Sequence, residues 1–464
     1  MKNQPLNRNV IPLAILTACL AALPVSVFAK PVLLPLSEFI QNATAKDTNF
    51  EAILLELLPL QYRRDALLPD RDAILSLKQQ LHYFQGGSVS ASTSISLSKL
   101  FPDTGTDISA AYNKPATASG ADFANLQLLV SQPIAKNAFG KAIKLQDSII
   151  GIENEISRYQ IVEAYEDYLS SLSIAWYNWY SAHENLKVAD TARESTQRLL
   201  DNILERQRQK IALPVDVNKI RLSLIAKQES VIALQEIYDN LSNLIFSAMR
   251  REASKDIIPA QPDTGISVVD YLSEYQQFTQ YSRTYRILNL LERQGTMEVS
   301  KAADNLLPST NLLLGYQLDG EEWGSRNQEN SFFAGIALTW PIGQSNSKAK
   351  QEIARIQQKK TLLSNSNKYE ALDSNLKNLH LQIKREQKLM EISRKKIQLA
   401  EAILKAESEN YSFGKISLND YITAVNNVDE NRFNYTAHNV LLNKLYIEWL
   451  RLTDRLVDDN SVLP

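Results

Sequence analysis

Large apolar residues recur every seven positions in two separate stretches of the chain. One runs Val217, Leu224, Val231, Tyr238, Ile245; the other runs Tyr421, Val428, Tyr435, Leu442, Trp449, Leu456. A heptad held over that many turns predicts helices that pack side by side as coiled coils. The two series share one offset of 204 residues, which the companion pair Leu241 and Leu445 also keeps. An amphipathic helix in any bundle explains one series, but not two in register.

Upstream landmarks double in the same way. Gln132-Pro133-Ile134 returns as Trp340-Pro341-Ile342 at an offset of 208, and Asp65-Ala66-Leu67-Leu68-Pro69 returns as Asp304-Asn305-Leu306-Leu307-Pro308 at an offset of 239. Both halves therefore predict one order: helix, Leu-Leu-Pro, strand region, Pro-Ile, long helix, turn, helix. The first strand region is the longer by 31 residues. The expected division is a first repeat over 30–250, a linker over 251–268, a second repeat over 269–457 and a tail over 458–464.

Helices are expected at about Ser37–Arg64 and Val269–Ala303, each stopped by the following proline. Beyond the proline the period changes to two. Leu312, Leu314, Tyr316 and Leu318 alternate with Asn311, Gly315 and Gln317, and the return strand sets Phe332, Ala334, Ile336, Leu338 and Trp340 on one face, with Gly320 to Asn330 as a polar loop. In the first unit Ala124, Leu126, Leu128 and Val130 alternate with Asn125 and Gln127, and Val89 to Leu97 alternate with serines from Ser88 to Ser98. One apolar and one small polar face suits a strand between lipid and water, and equally a half-buried soluble strand. Trp340 and Tyr316 suit an interfacial girdle or a core. Residues 70–106 read as extra strands or as an extended loop.

Lys136 to Gln209 holds no proline, and Ser345 to Phe413 neither proline nor glycine. Some 70 helical residues reach roughly 100 Å. A bundle inside one globular domain has no use for that length, whereas a tube across a periplasm does. Short tips follow, at 210–216 and 414–420, and Asp216 and Asp420 hold the same place in each. Both begin helices, where an Asp serves as a cap.

Composition narrows the function. Only 14 Gly and 16 Pro among 464 residues suits long helices. A net charge of −2 gives no global field for nucleic acid, which is not expected as a partner. His82, His183, His380 and His438 have no partner at metal-ligand spacing. No phosphate-cradling glycine loop or Gly-x-Ser-x-Gly elbow occurs, so neither an enzyme nor a cofactor or metal site is expected. The cluster from Trp176 to Tyr180 reads as helix packing.

At the N-terminus Lys2 and Arg8 precede an apolar run from Val10 to Phe28, ended by Val27-Phe28-Ala29. That is the form of a secretory signal over 1–29; the alternative, a membrane anchor, meets Pro12 and Pro24 inside the run. The only cysteine, Cys19, follows Leu16-Thr17-Ala18 as in a lipobox, but the stretch behind it stays apolar, which favours cleavage after Ala29. No later segment has the length of a transmembrane helix, so membrane residence would require a β-barrel.

Over nearly the whole mature chain these residues resemble the TolC-like outer membrane factors. The likeness rests on the double unit and on Tyr411-Ser412-Phe413-Gly414-Lys415 followed by Asp420-Tyr421, which is similar to the family's second tip. The two Pro-Ile joints resemble its strand-to-helix joints. The resemblance implies a mainly α fold with β structure. In it a homotrimer shares an outer-membrane β-barrel, four strands per protomer, continued by a long periplasmic coiled-coil α-barrel. It implies an efflux or type I secretion duct in outer-membrane lipid, opened by a periplasmic adaptor (a membrane fusion protein) and an inner-membrane pump of the RND or ABC type. Asp420 would join a carboxylate ring at the constriction, and Asp216 would bond Tyr411. Lys210, Ile211, Ala212 and Leu213, with Gly414, Lys415, Ile416 and Ser417, would meet the adaptor. Two positions depart from the family pattern: Lys210 replaces the usual glycine of the first tip, and Thr423 replaces a second acidic residue, implying a weaker cation-binding ring. The competing reading is a soluble periplasmic coiled-coil structural protein, against which the outward apolar residues of the second hairpin argue.

Overall fold

The computed structural model describes residues 32–45, 47–117, 123–254, 256–262, 270–321 and 329–457. The expected leader with Cys19 and Ala29, most of the linker end and the C-terminal tail lie outside these. In chain order the elements are β1 (Val32–Leu34), α1 (Leu36–Thr44), α2 (Thr48–Leu55), α3 (Leu58–Leu67), β2 (Ala73–Tyr83), β3 (Val89–Phe101), β4 (Thr106–Lys114), β5 (Phe123–Pro133), α4 (Lys141–Arg208) and α5 (Pro214–Ala248). The second half follows with β6 (Ile257–Pro259), α6 (Tyr271–Tyr281), α7 (Arg283–Asp304), β7 (Ser309–Glu321), β8 (Glu329–Thr339), α8 (Ser345–Ser412) and α9 (Leu418–Leu452).

The helical hairpins repeat to the residue. Helices α4 and α8 each have 68 residues, and α5 and α9 each have 35. Every one of their four boundaries keeps the offset of 204 seen in the heptads. At 1.5 Å per residue the longer helices extend roughly 100 Å.

Each hairpin is anchored midway by a buried phenylalanine from the short helices. Phe39 of α1 packs among Leu172, Trp176, Ile245 and Phe246, and Phe278 of α6 packs among Leu376, Leu379, Leu442 and Trp449. Phe39 and Phe278 stand at the 239-residue offset of the Leu-Leu-Pro landmarks. Trp176 and Trp179 are both buried, so the aromatic cluster is packing, as expected. A parallel pair, β1 with β6, ties the start of the first unit to the link between units.

Both helices expected before the Leu-Leu-Pro landmarks are interrupted. In the first unit Asp47 caps a new helix, accepting from the Asn49 N–H at 2.8 Å, and Pro59 sits at the start of α3, where its missing N–H is harmless, so the stretch runs as three short helices. In the second unit Ser282 turns to an extended conformation. The Arg283 N–H then donates to the Asp454 carboxylate at 2.6 Å instead of joining α6. The Arg283 side chain is buried and paired with both Glu166 and Asp454, closing the base of the second unit onto α4. Two carboxylates share one guanidinium there, and burial pushes the Glu166 carboxyl up to about 7.

The sheet departs most from expectation. It has six strands in the order β2-β3-β4-β5-β7-β8, all antiparallel, and not the four implied by the resemblance. The ambiguous stretch 70–106 supplies β2 and β3 as an additional hairpin. Its far turn is built on Gly87, at φ +81°, with the Phe84 N–H donating to the Ser88 carbonyl at 3.0 Å.

Candidate functional site: the sheet faces and the helix tips

The registers join the six strands into one apolar face. Leu75 and Leu77 lie opposite Leu97 and Ile95; these meet Ala110 and Tyr112, which meet Leu128 and Leu126. The row continues through Tyr316 and Leu318 of β7 to Phe332 of β8. Many of these side chains are open to solvent, Phe332 by 86% and Leu75 by 71%. The opposite face carries Lys78, Gln80 and His82, the serines of β3, Asn125, Gln127, Gln317 and Asp319. Polar pairs lie across it, with Ser94 donating to Asn113 at 2.6 Å and Asn125 to Asp319 at 2.7 Å. One aromatic ring on this face, Phe333, lies over Gly315, where a side chain would collide with it.

The end of the sheet next to the helices is fastened by the first Pro-Ile joint. The Gln132 side chain donates to the Thr104 carbonyl at 2.9 Å and accepts from the Thr106 hydroxyl at 2.5 Å. Gly105 and Gly140 both have positive φ and approach so closely that a Cβ on Gly140 would lie 2.5 Å from the Pro102 carbonyl oxygen. The β3–β4 turn is therefore seated on the strand-to-helix joint. The second unit's Leu-Leu-Pro segment joins there too, with Asp304 accepting from the Asn137 N–H at 2.7 Å.

At the far end of the hairpins the two tips have one backbone form. Lys210 and Ile211 N–H groups donate to Gln207 and Arg206 carbonyls at 2.9 and 2.8 Å; Gly414 and Lys415 N–H groups donate to Tyr411 and Asn410 at 3.0 and 2.9 Å. Lys210 holds φ +62° where Gly414 holds +70°. The lysine thus keeps the left-handed turn that glycine adopts freely, at about 1–2 kcal/mol of strain. Tip geometry is preserved despite the substitution.

Asp216 and Asp420 lie in the first turns of α5 and α9. Asp420 accepts from the Ser417 N–H at 3.2 Å and the Ser417 hydroxyl at 2.7 Å, and its own N–H donates to the Ser417 oxygen at 3.3 Å. That is a capping box. At the first tip Leu213 offers no side-chain acceptor, and only its N–H donates to Asp216, at 3.3 Å. The bond between Asp216 and Tyr411 implied by the resemblance is absent among the described residues. Tyr411 instead stacks on Tyr421, with centroids 5.4 Å apart, beneath the Arg206 guanidinium at 4.9 Å. Burial pushes the Tyr411 hydroxyl up, opposed by Arg206.

The two tips pack together through Leu200, Ile203, Val217, Ile220, Leu224 and Leu418. The Lys227 ammonium pairs with Asp429 at 2.8 Å, joining α5 to α9. Sequence reading singled out Tyr411 and both aspartates and passed over Arg206, Lys227 and Asp429, whose type and spacing match any solvated helix face. Exposed apolar residues crown the tips: Ile211, Leu213 and Phe413. Among the described residues no helix is long and apolar enough to cross a membrane, and no cluster of metal-ligating side chains occurs.

No protein-family model matches the sequence. No curated protein matches it at a significant level. Solved structures match over most of the chain. Structures of CusC, described for the changes accompanying folding and transmembrane channel formation, share 11% identity at a TM-score of 0.71, covering 91% of this chain and 93% of theirs. The CmeC outer membrane channel of Campylobacter jejuni gives 12% identity and a TM-score of 0.66 over 92% and 88%. The open-state MtrE outer membrane channel of Neisseria gonorrhoeae gives 13% and 0.66 over 90% and 88%. The chain has the fold of the TolC-like outer membrane channels.

Proposed function

We propose that this chain is the outer-membrane duct of a tripartite efflux or type I secretion system. Three copies form a passive exit path from the periplasm to the exterior. The carrying observation is the union of two features on one chain: a sheet with one largely apolar exposed face, and two helices of 68 residues leading away from it, each paired with one of 35. Lipid covers the apolar face, since in a hydrocarbon layer only helices and closed barrels satisfy their backbones. A soluble structural rod leaves that face uncovered in water, which is unfavourable by about 25 cal/mol per Å². The similarity in fold to outer membrane channels supports the same reading.

In this reading the tips are the periplasmic gate. The residues Lys210–Leu213 and Gly414–Ser417 meet a periplasmic adaptor, and an inner-membrane pump of the RND or ABC type supplies cargo and energy. Asp420 contributes to a carboxylate ring that attracts cations, its second oxygen remaining available beside the capping bonds. In planar bilayers Asp420→Asn lowers block by polyvalent cations and raises conductance; unaltered single-channel behaviour removes Asp420 from the gate. Membrane fractionation tests the function itself. The expected result is an outer-membrane protein giving a crosslinking ladder that stops at three; a soluble monomer overturns the proposal.

A further inference from the structure

The sheet of one copy has two open edges, and the six strands decide how they are closed. We infer that three copies join edge to edge, β2 of each against β8 of the next, into a single barrel of eighteen strands, with the β2–β3 hairpin as full barrel wall. The inference rests on the trimeric duct proposed above and concerns how its membrane part is built.

Three observations carry it. The first is patterning. Leu75, Leu77 and Leu81 of β2 are in register with Leu97, Ile95 and Ala91 of β3, on the same side as Leu126, Leu128 and Leu314. Ser76, Lys78, Gln80 and His82 share the polar side with Gln127 and Gln317. The Gln79–Thr93–Lys114 row interrupts this side once; a hairpin folded across a pore or lying in water has no reason to place leucines on the lipid side on both sides of that row. The second is attachment. The β3–β4 turn is clamped by Gln132 and by the Gly105–Gly140 contact, so β3 is fixed to the same joint as β5. The register of β3 against β4 runs from Thr93–Lys114 to Phe101–Thr106 without a bulge.

The third is the edges. Both β2 and β8 have 11 residues and neither contains proline, so each presents an uninterrupted row of backbone groups. Eleven residues suffice for a tilted strand to cross the hydrocarbon layer. Strand direction alternates across the sheet, and the two edge strands of a six-stranded sheet therefore run oppositely. Rotation about a membrane-normal axis keeps each direction, so β8 of one copy meets β2 of the next antiparallel. The alternation and the apolar exterior then continue around the ring with no edge left in lipid.

Barrel diameter grows about linearly with strand number, so six strands per copy give a membrane pore about half as wide again as four. The narrowest point of the duct then lies away from the membrane, toward the helix tips, and the Lys78 side faces the wide water-filled end.

Cysteine pairing tests this, because the sole native cysteine, Cys19, lies in the expected leader. Single changes on the water face of β2 (Ser76→Cys, Lys78→Cys, Gln80→Cys) are combined with each of Ser331→Cys, Gly335→Cys and Ala337→Cys on β8. The pairs are oxidised in outer membranes and run without reductant. At least one combination is expected to convert most of the protein into covalent trimers. A second set places cysteine at Asp107 or Ser109 of β4 with the same β8 positions. Trimers from that set alone show twelve strands with the β2–β3 hairpin outside the wall, and overturn the inference while the duct stands. The same holds if neither set pairs yet an amine crosslinker still yields membrane trimers. Soluble monomers under the amine crosslinker remove the duct proposal as well.

Discussion

The two halves of the molecule agree in their long helical hairpins and differ in their strand regions. Helices α4 and α8, and α5 and α9, match in length and boundary. The strand regions between the Leu-Leu-Pro and Pro-Ile landmarks hold four strands in the first unit and two in the second. The reason is mechanical. Coiled helices that pack along their whole length must end together, so a change in one forces a change in all. A sheet with lipid on one side accepts two more antiparallel strands without changing the direction or face of any other.

The same contrast appears inside the matched helices. At the first unit's anchor Trp176 on α4 and Ile245 on α5 pack with Phe39; at the second, Trp449 on α9 packs with Phe278 and His380 on α8 lies against Trp449. The offset of 204 makes these equivalent positions, so the indole has changed helices while total volume is kept. Near the base, the second unit adds the buried Arg283 with Glu166 and Asp454, where the equivalent first-unit position is Thr44.

Breaking that added feature has the largest expected effect. Arg283→Met leaves two carboxylates buried without their cation, and the helical region loses about 3–5 kcal/mol. Urea unfolding followed by circular dichroism checks it. The loss depends on pH with a defined sign. Glu166 already has its folded-state pKa raised to about 7 from an ordinary carboxyl value of 4.5, so its contribution is full below the unfolded value and falls as pH rises toward 7. Removing Arg283 raises that pKa further, so the variant is nearest to the parent in stability at about pH 4–5 and weakest above 7.

Next in size is the exchanged indole. Trp449→Ile opens a cavity at the Phe278 anchor and destabilises by about 3 kcal/mol. Adding His380→Trp restores the first unit's arrangement and recovers a large part of that, so the double variant is more stable than the sum of the two single changes. Additive losses would show that the anchors are not equivalent.

The smallest effects are at the tips. Lys210→Gly relieves a positive φ and stabilises the first tip by about 1 kcal/mol, while Gly414→Lys destabilises the second by a similar amount. Hydrogen exchange at the Ile211 and Lys415 amides, which close these turns, reads each tip separately.

How much of this was legible in the sequence follows the same division. The heptads revealed both hairpins and their register, because a period of seven sustained over five positions seldom arises except where helices pair along their length. The alternating strands β5, β7 and β8 were legible through their period of two, whereas β2 was not: Lys78, Gln79 and Gln80 interrupt its alternation, and only pairing with Ile95 and Leu97 reveals its apolar side. The break at Ser282 depends on a partner far along the chain, Asp454, whereas Pro59 marks its own break locally. At the tips the aspartates stood out by position, but Arg206 over Tyr411 is a tertiary contact between the hairpins that no local pattern announces.

The central claim is that the apolar sheet face and the long hairpins are two parts of one trimeric duct. Electron cryomicroscopy of the protein purified from outer membranes in detergent tests it most directly. The predicted result is a hollow threefold particle in which six helices run roughly 100 Å from a closed β-barrel embedded in the micelle, with six helices of about 50 Å packed along them. A particle with no threefold axis, or one whose sheets stay open and outside the micelle, would contradict it.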